Sequence, residues 1–233
     1  MAKETAYAWN EDAVRRIRAT VQAHEREIHR LKQNMLPHTA PDGKLWLPFK
    51  NNSSESAPAF GIMAVTTTAD IVGGQAILVC DKPSTTFYRQ YVINSSLEVA
   101  AGDYGFCTMQ SPALILYDTG TPAVNAGWGP KSGQWTLSVN YPQTTLVVGL
   151  VDSTNKILYG TLNTIDRVLG KTDAAHAKAA SGTVSIWAGT AGSESDTTIN
   201  VTGVWNSFAA VAITKWVEVE WINGQPFLVA AEC

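Results

Sequence analysis

The sequence predicts a mainly β protein, in which an N-terminal coiled-coil α-helix precedes one or two antiparallel β-sandwich or barrel modules. Two observations predict this fold. A heptad pattern runs from residue 14 to residue 35, and from residue 44 onward short apolar runs alternate with turn residues such as Gly, Pro, Asn and Ser. We therefore expect an arm and helix over 1–36, a β-rich domain over 37–170 and a C-terminal β module over 171–233.

Charge is distributed unevenly along the chain. Residues 1–33 hold seven of the 17 basic and five of the 20 acidic side chains, which leaves a weakly charged, acidic body. Together with 45% apolar residues, this balance excludes intrinsic disorder and argues against nucleic-acid binding. No run of 18 apolar residues is present and the N-terminus lacks the apolar core of a signal peptide, so we expect neither a membrane span nor secretion.

The predicted helix carries an apolar stripe with spacings of three and four residues, the a and d positions of three heptads. Asn10 supplies an N-cap and Pro37 ends the helix, which gives roughly 25 residues and a length of about 38 Å. The charged remaining faces favour self-association, and we expect a homotrimer; the alternative is one helix lying on the β-body. The stripe consists of Val14, Ile17, Val21, His24, Ile28, Leu31 and Met35.

The clearest strand signal lies near the C-terminus. In KWVEVEWI, residues 215–222, Val217, Val219 and Trp221 alternate with Glu218 and Glu220, as in a half-buried antiparallel strand. The following Asn-Gly pair at 223–224 predicts a type I′ hairpin turn. The Ala-rich segment 172–182 predicts either one short helix or a linker between two β modules.

The sequence contains no recognisable catalytic, cofactor-binding or metal-binding motif. His176 has no nucleophile signature near it, and Glu218 and Glu220 suit a solvated sheet face better than a pair of catalytic carboxylates. The three cysteines lack metal-ligand spacing. Four tryptophans within apolar runs are expected in the core, whereas Trp128 in a Gly-rich loop is either exposed for sugar or protein contacts or packed over its own loop. The four core candidates are Trp46, Trp135, Trp187 and Trp221.

Three stretches, LWLPFKNNSSESAPAFGIMAV (45–65), YDTGTPAVNAGWGPKSGQWTLS (117–138) and WINGQPFLVAAEC (221–233), resemble small proteins of tailed bacteriophages encoded near the major capsid protein. The resemblance implies a virion structural protein and supplies no catalytic residues. Such proteins are often trimers with helical stems and β-rich bodies. On this basis Tyr7 and Trp9, in the arm before the helix, are candidate anchors to the capsid.

These observations lead to one expected function and two rivals. We expect a trimeric capsid decoration, or cement, protein that binds the major capsid protein or other virion proteins and stabilises the head, assembled in the host cytoplasm. The first rival is a head, neck or tail-associated fibre that binds glycans or another host surface. The second is a glycan-cleaving enzyme of the same phage.

Overall fold

The computed structural model describes residues 38–39, 43–72, 75–88, 90–139, 141, 145–162, 167–189 and 192–232. Within these ranges the chain forms sixteen β-strands and no helix, so the prediction of a mainly β body is confirmed. The predicted helix, its stripe from Val14 to Met35 and the anchor candidates Tyr7 and Trp9 lie outside the described residues. The coiled coil therefore stays a prediction, and the strands form three units.

The first unit is a closed five-stranded barrel with one short additional strand. Its strands are β1 (His38–Thr39), β2 (Leu45–Asn51), β3 (Ile62–Val72), β4 (Gln75–Asp81), β5 (Tyr91–Asn94) and β6 (Tyr104–Thr108). The order around the barrel is β2-β4-β3-β5-β6, and pairing of β6 with β2 closes it. All neighbours are antiparallel except β2 and β4. β1 pairs with the start of β2.

The second unit is a five-stranded sheet that covers one side of the first barrel. Its strands are β7 (Ala113–Leu116), β8 (Gly127–Pro130), β9 (Leu137–Ser138), β10 (Thr145–Asp152) and β11 (Ile157–Leu162). Their order is β7-β11-β10-β8-β9. Ile62 and Ile93 of the barrel share one buried cluster with Ile115, Trp128 and Leu158 of this sheet. The apolar surface between them joins the first two units into one core.

The third unit is again a closed barrel, which we call the second barrel. Its strands are β12 (Arg167–Thr172), β13 (Ala180–Ala188), β14 (Ser195–Asn206), β15 (Trp216–Ile222) and β16 (Gln225–Ala231). The order is β12-β13-β14-β16-β15, closed by β15 on β12, and only β14 and β16 are parallel. This is a five-stranded Greek-key barrel of the kind found in the OB-fold. The predicted hairpin at 223–224 is present, because Ile222 pairs with Gln225 and both turn residues have positive φ.

Strand β5 shows how sequence and burial correspond. All four of its residues are buried, although alternate side chains of a strand point to opposite faces. Val92 lies in the interior of the first barrel, whereas Tyr91 and Ile93 pack toward the second unit. Burial on both faces explains why this strand has no polar residue before Asn94.

The two barrels have the same arrangement of strands in a different chain order. Starting from β5, the first barrel follows β5-β6-β2-β4-β3; starting from β12, the other follows β12-β13-β14-β16-β15. In both rings the third and fourth strands are the parallel pair. The first barrel is thus a circular permutation of the other, in which the strands matching β12 and β13 come last along the chain.

Local details support this match. In each barrel the earlier strand of the parallel pair ends in a buried asparagine, which is Asn51 in β2 and Asn206 in β14. The chain then bends and makes an isolated antiparallel bridge, Ala57 with Val99 in the first barrel and His176 with Val211 in the other. Three residues after the bridging residues, Phe60 and Thr214 both have φ near +60°. Two barrels with such different sequences therefore share their irregular features as well as their strand order.

A matched glycine faces a matched side chain in each barrel. A Cβ on Gly105 would lie 2.4 Å from Cγ2 of Val99 and 3.0 Å from Cε1 of Phe49. A Cβ on Gly182 would lie 2.6 Å from Nε2 of His176, the counterpart of Val99. Only glycine leaves room for the bridging residue to fill the end of the barrel.

Gly105→Ala is expected to lower the free energy of unfolding by about 1–3 kcal/mol, because the new methyl group overlaps Val99 in a packed core. Combining it with Val99→Ala is expected to cost at least about 1 kcal/mol less than the sum of the two single changes. Urea denaturation of the four chains measures this coupling. Gly149→Ala is the control, since no atom lies within 4 Å of its added Cβ. Additive effects would show that the contact does not require glycine.

Candidate binding groove at the corner of the second barrel

The residues considered for catalysis are His176 and the pair Glu218 and Glu220. His176 is 3% exposed and its ring nitrogens have no hydrogen-bond partner within the described chain. Glu218 and Glu220 lie 3.3 Å and 3.1 Å from the guanidinium of Arg167 across the β12–β15 ladder. These carboxylates raise the pKa of Arg167, Glu220 more strongly than Glu218. The pair is therefore accounted for by ion pairing on the sheet surface.

The burial of the tryptophans differs in part from the prediction. Trp128 is 1% exposed and packs edge to face on Tyr117 with ring centroids 5.6 Å apart. It lies in the buried cluster shared by the first two units, so the alternative of an exposed contact residue is wrong. Trp135 lies in the core of the first barrel, as predicted. Trp221 is partly buried and packs against the core of the second barrel. Trp46 and Trp187 are also only partly buried and belong to none of the described core clusters, so the prediction that they lie in the core was wrong.

Two tryptophans on the outside of the second barrel enclose a lysine. The Nζ of Lys171 lies 3.7 Å from the ring centroid of Trp187 and 4.5 Å from that of Trp216. The same ammonium group helps lower the pKa of Glu194, after the stronger effect of the hydrogen bond from the N–H of Gly192. Cation–π contact means that the protein's own side chain covers one face of each ring.

A corner in the second barrel is fixed by Asn206. Its Nδ2 donates hydrogen bonds to the carbonyl oxygens of His176, Ala177 and Ala209 at 3.0–3.2 Å. Its Oδ1 accepts a hydrogen bond from the N–H of Phe208 at 2.9 Å. The amide therefore pairs with four main-chain groups around the bend, including the carbonyl of His176, which also accepts the N–H of Val211 in the isolated bridge.

The corresponding corner in the first barrel uses Asn51 in the same way. Its Nδ2 donates to the carbonyl oxygens of Glu55, Val99 and Ala100 at 2.8–3.1 Å. Its Oδ1 accepts from the N–H of Ser53 at 3.1 Å. The two loops that follow these asparagines thus have the same anchor and can be compared directly.

The loop of the second barrel exposes apolar side chains. Phe208 is 48% exposed and Ile213 54% exposed, with Ala209, Ala210 and Ala212 exposed between them. We call residues 207–213 the corner loop. In the first barrel the residues between the corner asparagine, Asn51, and the bridging residue, Ala57, are Asn-Ser-Ser-Glu-Ser, 52–56. Because the polar loop turns the same corner, the apolar composition of the corner loop is not required by the fold.

A groove of about 480 Å³ runs between the corner loop and the end of β16. We call it the corner groove. Lys215 and Glu232, 3.9 Å apart, are its charged residues. The remaining lining is apolar: Phe208, Ala209, Ala210, Val211, Ala212, Val229, Ala230 and Ala231.

One side of the corner groove is a strand edge. β14 ends at Asn206, opposite Leu228, whereas β16 continues to Ala231. From Val229 to Ala231, β16 is paired with β15 on its other side and has no ladder partner toward the groove among the described residues. Main-chain donors and acceptors are therefore available beside the apolar side chains.

A further cavity of about 500 Å³ lies on the first barrel. Trp46, Phe60 and Phe106 contribute aromatic surface to it, and Ser95 and Thr108 contribute hydroxyl groups. Trp46 also pairs with His38 of β1, the strand that connects the body to the preceding 37 residues. This cavity thus lies where the N-terminal part of the chain joins the barrel.

Comparison with protein-family models, curated proteins and solved structures found no match. Within the described ranges, no helix is long and apolar enough to cross a membrane. The same residues contain no group of three His, Cys, Asp or Glu side chains arranged to hold a metal ion.

Sequence reasoning did not identify the corner groove. Its signal was the segment NSFAAVAIT, residues 206–214, in which small apolar residues follow one another without the alternation of a half-buried strand. Between two strands such a segment suggests either a buried turn or an exposed apolar surface, and only the structure distinguishes the two.

Proposed function

We propose that this chain is a non-enzymatic structural protein of a tailed-bacteriophage virion, a homotrimer that decorates the head and stabilises it. The observation that carries the proposal is the corner groove, an exposed apolar surface on a barrel whose matched corner is polar. Exposed apolar patches bordered by polar residues are typical of surfaces that bind other proteins. The resemblance of residues 45–65, 117–138 and 221–233 to phage virion proteins directs the proposal toward a capsid.

The chemistry of the corner groove favours assembly over catalysis. It presents methyl groups, one phenyl ring and a strand edge, and its two charges form an ion pair with each other. Such a surface supplies apolar contact and main-chain hydrogen bonds. Contacts repeated over a symmetric shell act together, so that weak attachment of each copy becomes strong for the assembly.

The test is the composition and heat resistance of purified virions of the phage that encodes the chain. We expect quantitative mass spectrometry to find copies in proportion to the major capsid protein, and heads that lack the protein to release DNA at a lower temperature. Phe208→Ser is expected to reduce occupancy of the head, and Ser54→Ala, in the polar corner, serves as the control. Absence from virions would refute the proposal, and a few copies per particle would favour the rival fibre.

A further inference from the structure

We propose that the corner groove receives the N-terminal arm, residues 1–9, of a second copy of this chain. The inference rests on the proposed function, because it assumes that the protein acts as a homo-oligomer. It assigns an occupant to the groove and gives Tyr7 and Trp9 a different contact from the capsid anchor expected from the sequence.

The strand edge determines the form of the occupant. Val229, Ala230 and Ala231 extend beyond the end of β14 and face the groove without a ladder partner in the described chain. An extended segment placed beside them continues the sheet, as in recognition by β-strand addition. Its main-chain groups then replace water on this edge.

The volume and lining of the groove determine the side chains that fit. Alternate residues of an added strand point to the same face, so every second side chain enters the groove. The arm contains Tyr7 and Trp9 on one such face, and the small Ala6 and Ala8 on the other. A volume of about 480 Å³ with an apolar lining is large enough for two aromatic side chains, and Phe208 offers a ring for them to contact.

The charges are compatible with the same occupant. The groove carries one lysine and one glutamate, Lys215 and Glu232, so a segment of low net charge suits it. The arm also carries one of each, Lys3 and Glu4, which precede the aromatic residues. The arm can therefore enter without placing a single-sign charge cluster against the barrel.

The predicted helix of residues 10–35 supports an exchange between copies. Its apolar stripe is expected to bring three chains together, and the arm is joined directly to it. The same helix, about 38 Å long, separates each arm from its own barrels, so the proposed contact requires the barrel of another copy to lie beside the helix.

The test uses the full-length chain with a photo-crosslinking phenylalanine analogue at position 208. Mixed oligomers of ¹⁵N-labelled and unlabelled chains are irradiated, and the linked peptides are identified by mass spectrometry. We expect residues 1–9 of one isotopic form joined to position 208 of the other. Tyr7→Ala with Trp9→Ala is expected to reduce the yield about tenfold or more, because two buried aromatic contacts are lost. Lys3→Ala with Glu4→Ala is the matched control.

A second variant keeps the test independent of the arm. Ala230→Arg, at an exposed position beside the strand edge, is expected to abolish the crosslink, whereas Ser54→Arg in the polar corner of the first barrel is expected to leave it unchanged. Crosslinks only within one chain, to the body of another copy, or to the capsid protein of assembled heads would each overturn the inference. A trimer without the arm crosslink overturns this inference alone, whereas absence of the protein from virions overturns the proposed function.

Discussion

Asn206→Ala is expected to lower the free energy of unfolding by about 3 kcal/mol, the largest loss from any single corner residue. The change removes the donor for the carbonyl oxygens of His176, Ala177 and Ala209 and the acceptor for the N–H of Phe208. Asn206 is fully buried. The carbonyl oxygen of His176 keeps its hydrogen bond from the N–H of Val211, so the groups that lose their partner are the carbonyls of Ala177 and Ala209 and the N–H of Phe208, which are part-buried. Each unsatisfied buried group costs about 1–3 kcal/mol, and partial relaxation of the loop reduces the total.

Urea denaturation measures the loss, and hydrogen exchange locates it. We expect reduced amide protection mainly in residues 167–231 for Asn206→Ala and in 45–108 for the matched Asn51→Ala. The neighbouring exposed residues provide controls: Ser207→Ala and Asn52→Ala are expected to change stability by less than about 0.5 kcal/mol. Equal stability of Asn206→Ala and Ser207→Ala would mean that the amide does not hold the corner.

Removal of residues 1–43 is expected to convert the protein from a trimer to a monomer. Light scattering on the full chain should give about 75 kDa, three times the 25.1 kDa of one chain, and the shortened chain should have the mass of a single copy. The physical reason is the predicted stripe, whose apolar a and d residues are buried only when helices associate. A trimer that persists after truncation would place the assembly interface in the β-body.

Substitutions within the full chain separate the stripe from the rest of the N-terminal segment. Ile17→Asp with Leu31→Asp places two charges in the predicted seam and is expected to yield monomers. Arg16→Asp with Arg30→Asp introduces the same side chains at the outward c positions of the same heptads and is expected to leave the trimer intact. Equal effects of the two pairs would indicate that net charge, and not the seam, controls association.

Local patterns in the sequence predicted the individual strands better than their arrangement. The alternation around Val217 and Val219 and the turn at 223–224 identified β15, its neighbour β16 and the hairpin between them. These signals succeed because they depend on residues close together in the chain. The Ala-rich segment 172–182 was ambiguous for the same reason. Its residues 173–179 form the loop that joins β12 to β13 within the second barrel, so both the helix and the linker between modules were wrong. The bridge from His176 to the distant Val211 holds this loop.

The common architecture of the barrels was not predictable from the sequence. Circular permutation changes the chain order of the matched strands, so no repeat of fixed period is visible. The corner residues, Asn51 and Asn206, occur in segments with opposite polarity, NNSSES and NSFAAV, and their shared hydrogen bonds depend on main-chain groups far away in the sequence. The corner groove escaped prediction because its two sides come from the corner loop and β16, which only the closed barrel brings together.

The relation between the barrels also indicates where the chain tolerates a change of connectivity. In the first barrel β4 is connected directly to β5, whereas the matching strands of the second barrel, β16 and β12, are its last and its first along the chain. Conversely, β13 is connected directly to β14 in the second barrel, whereas the matching strands of the first barrel, β6 and β2, are its last and its first along the chain. The same strand arrangement therefore occurs in this chain with the connection interrupted at that point. We therefore expect the connection between β13 and β14 to accept an inserted peptide or domain. At the matched position of the first barrel, the rest of the polypeptide is attached.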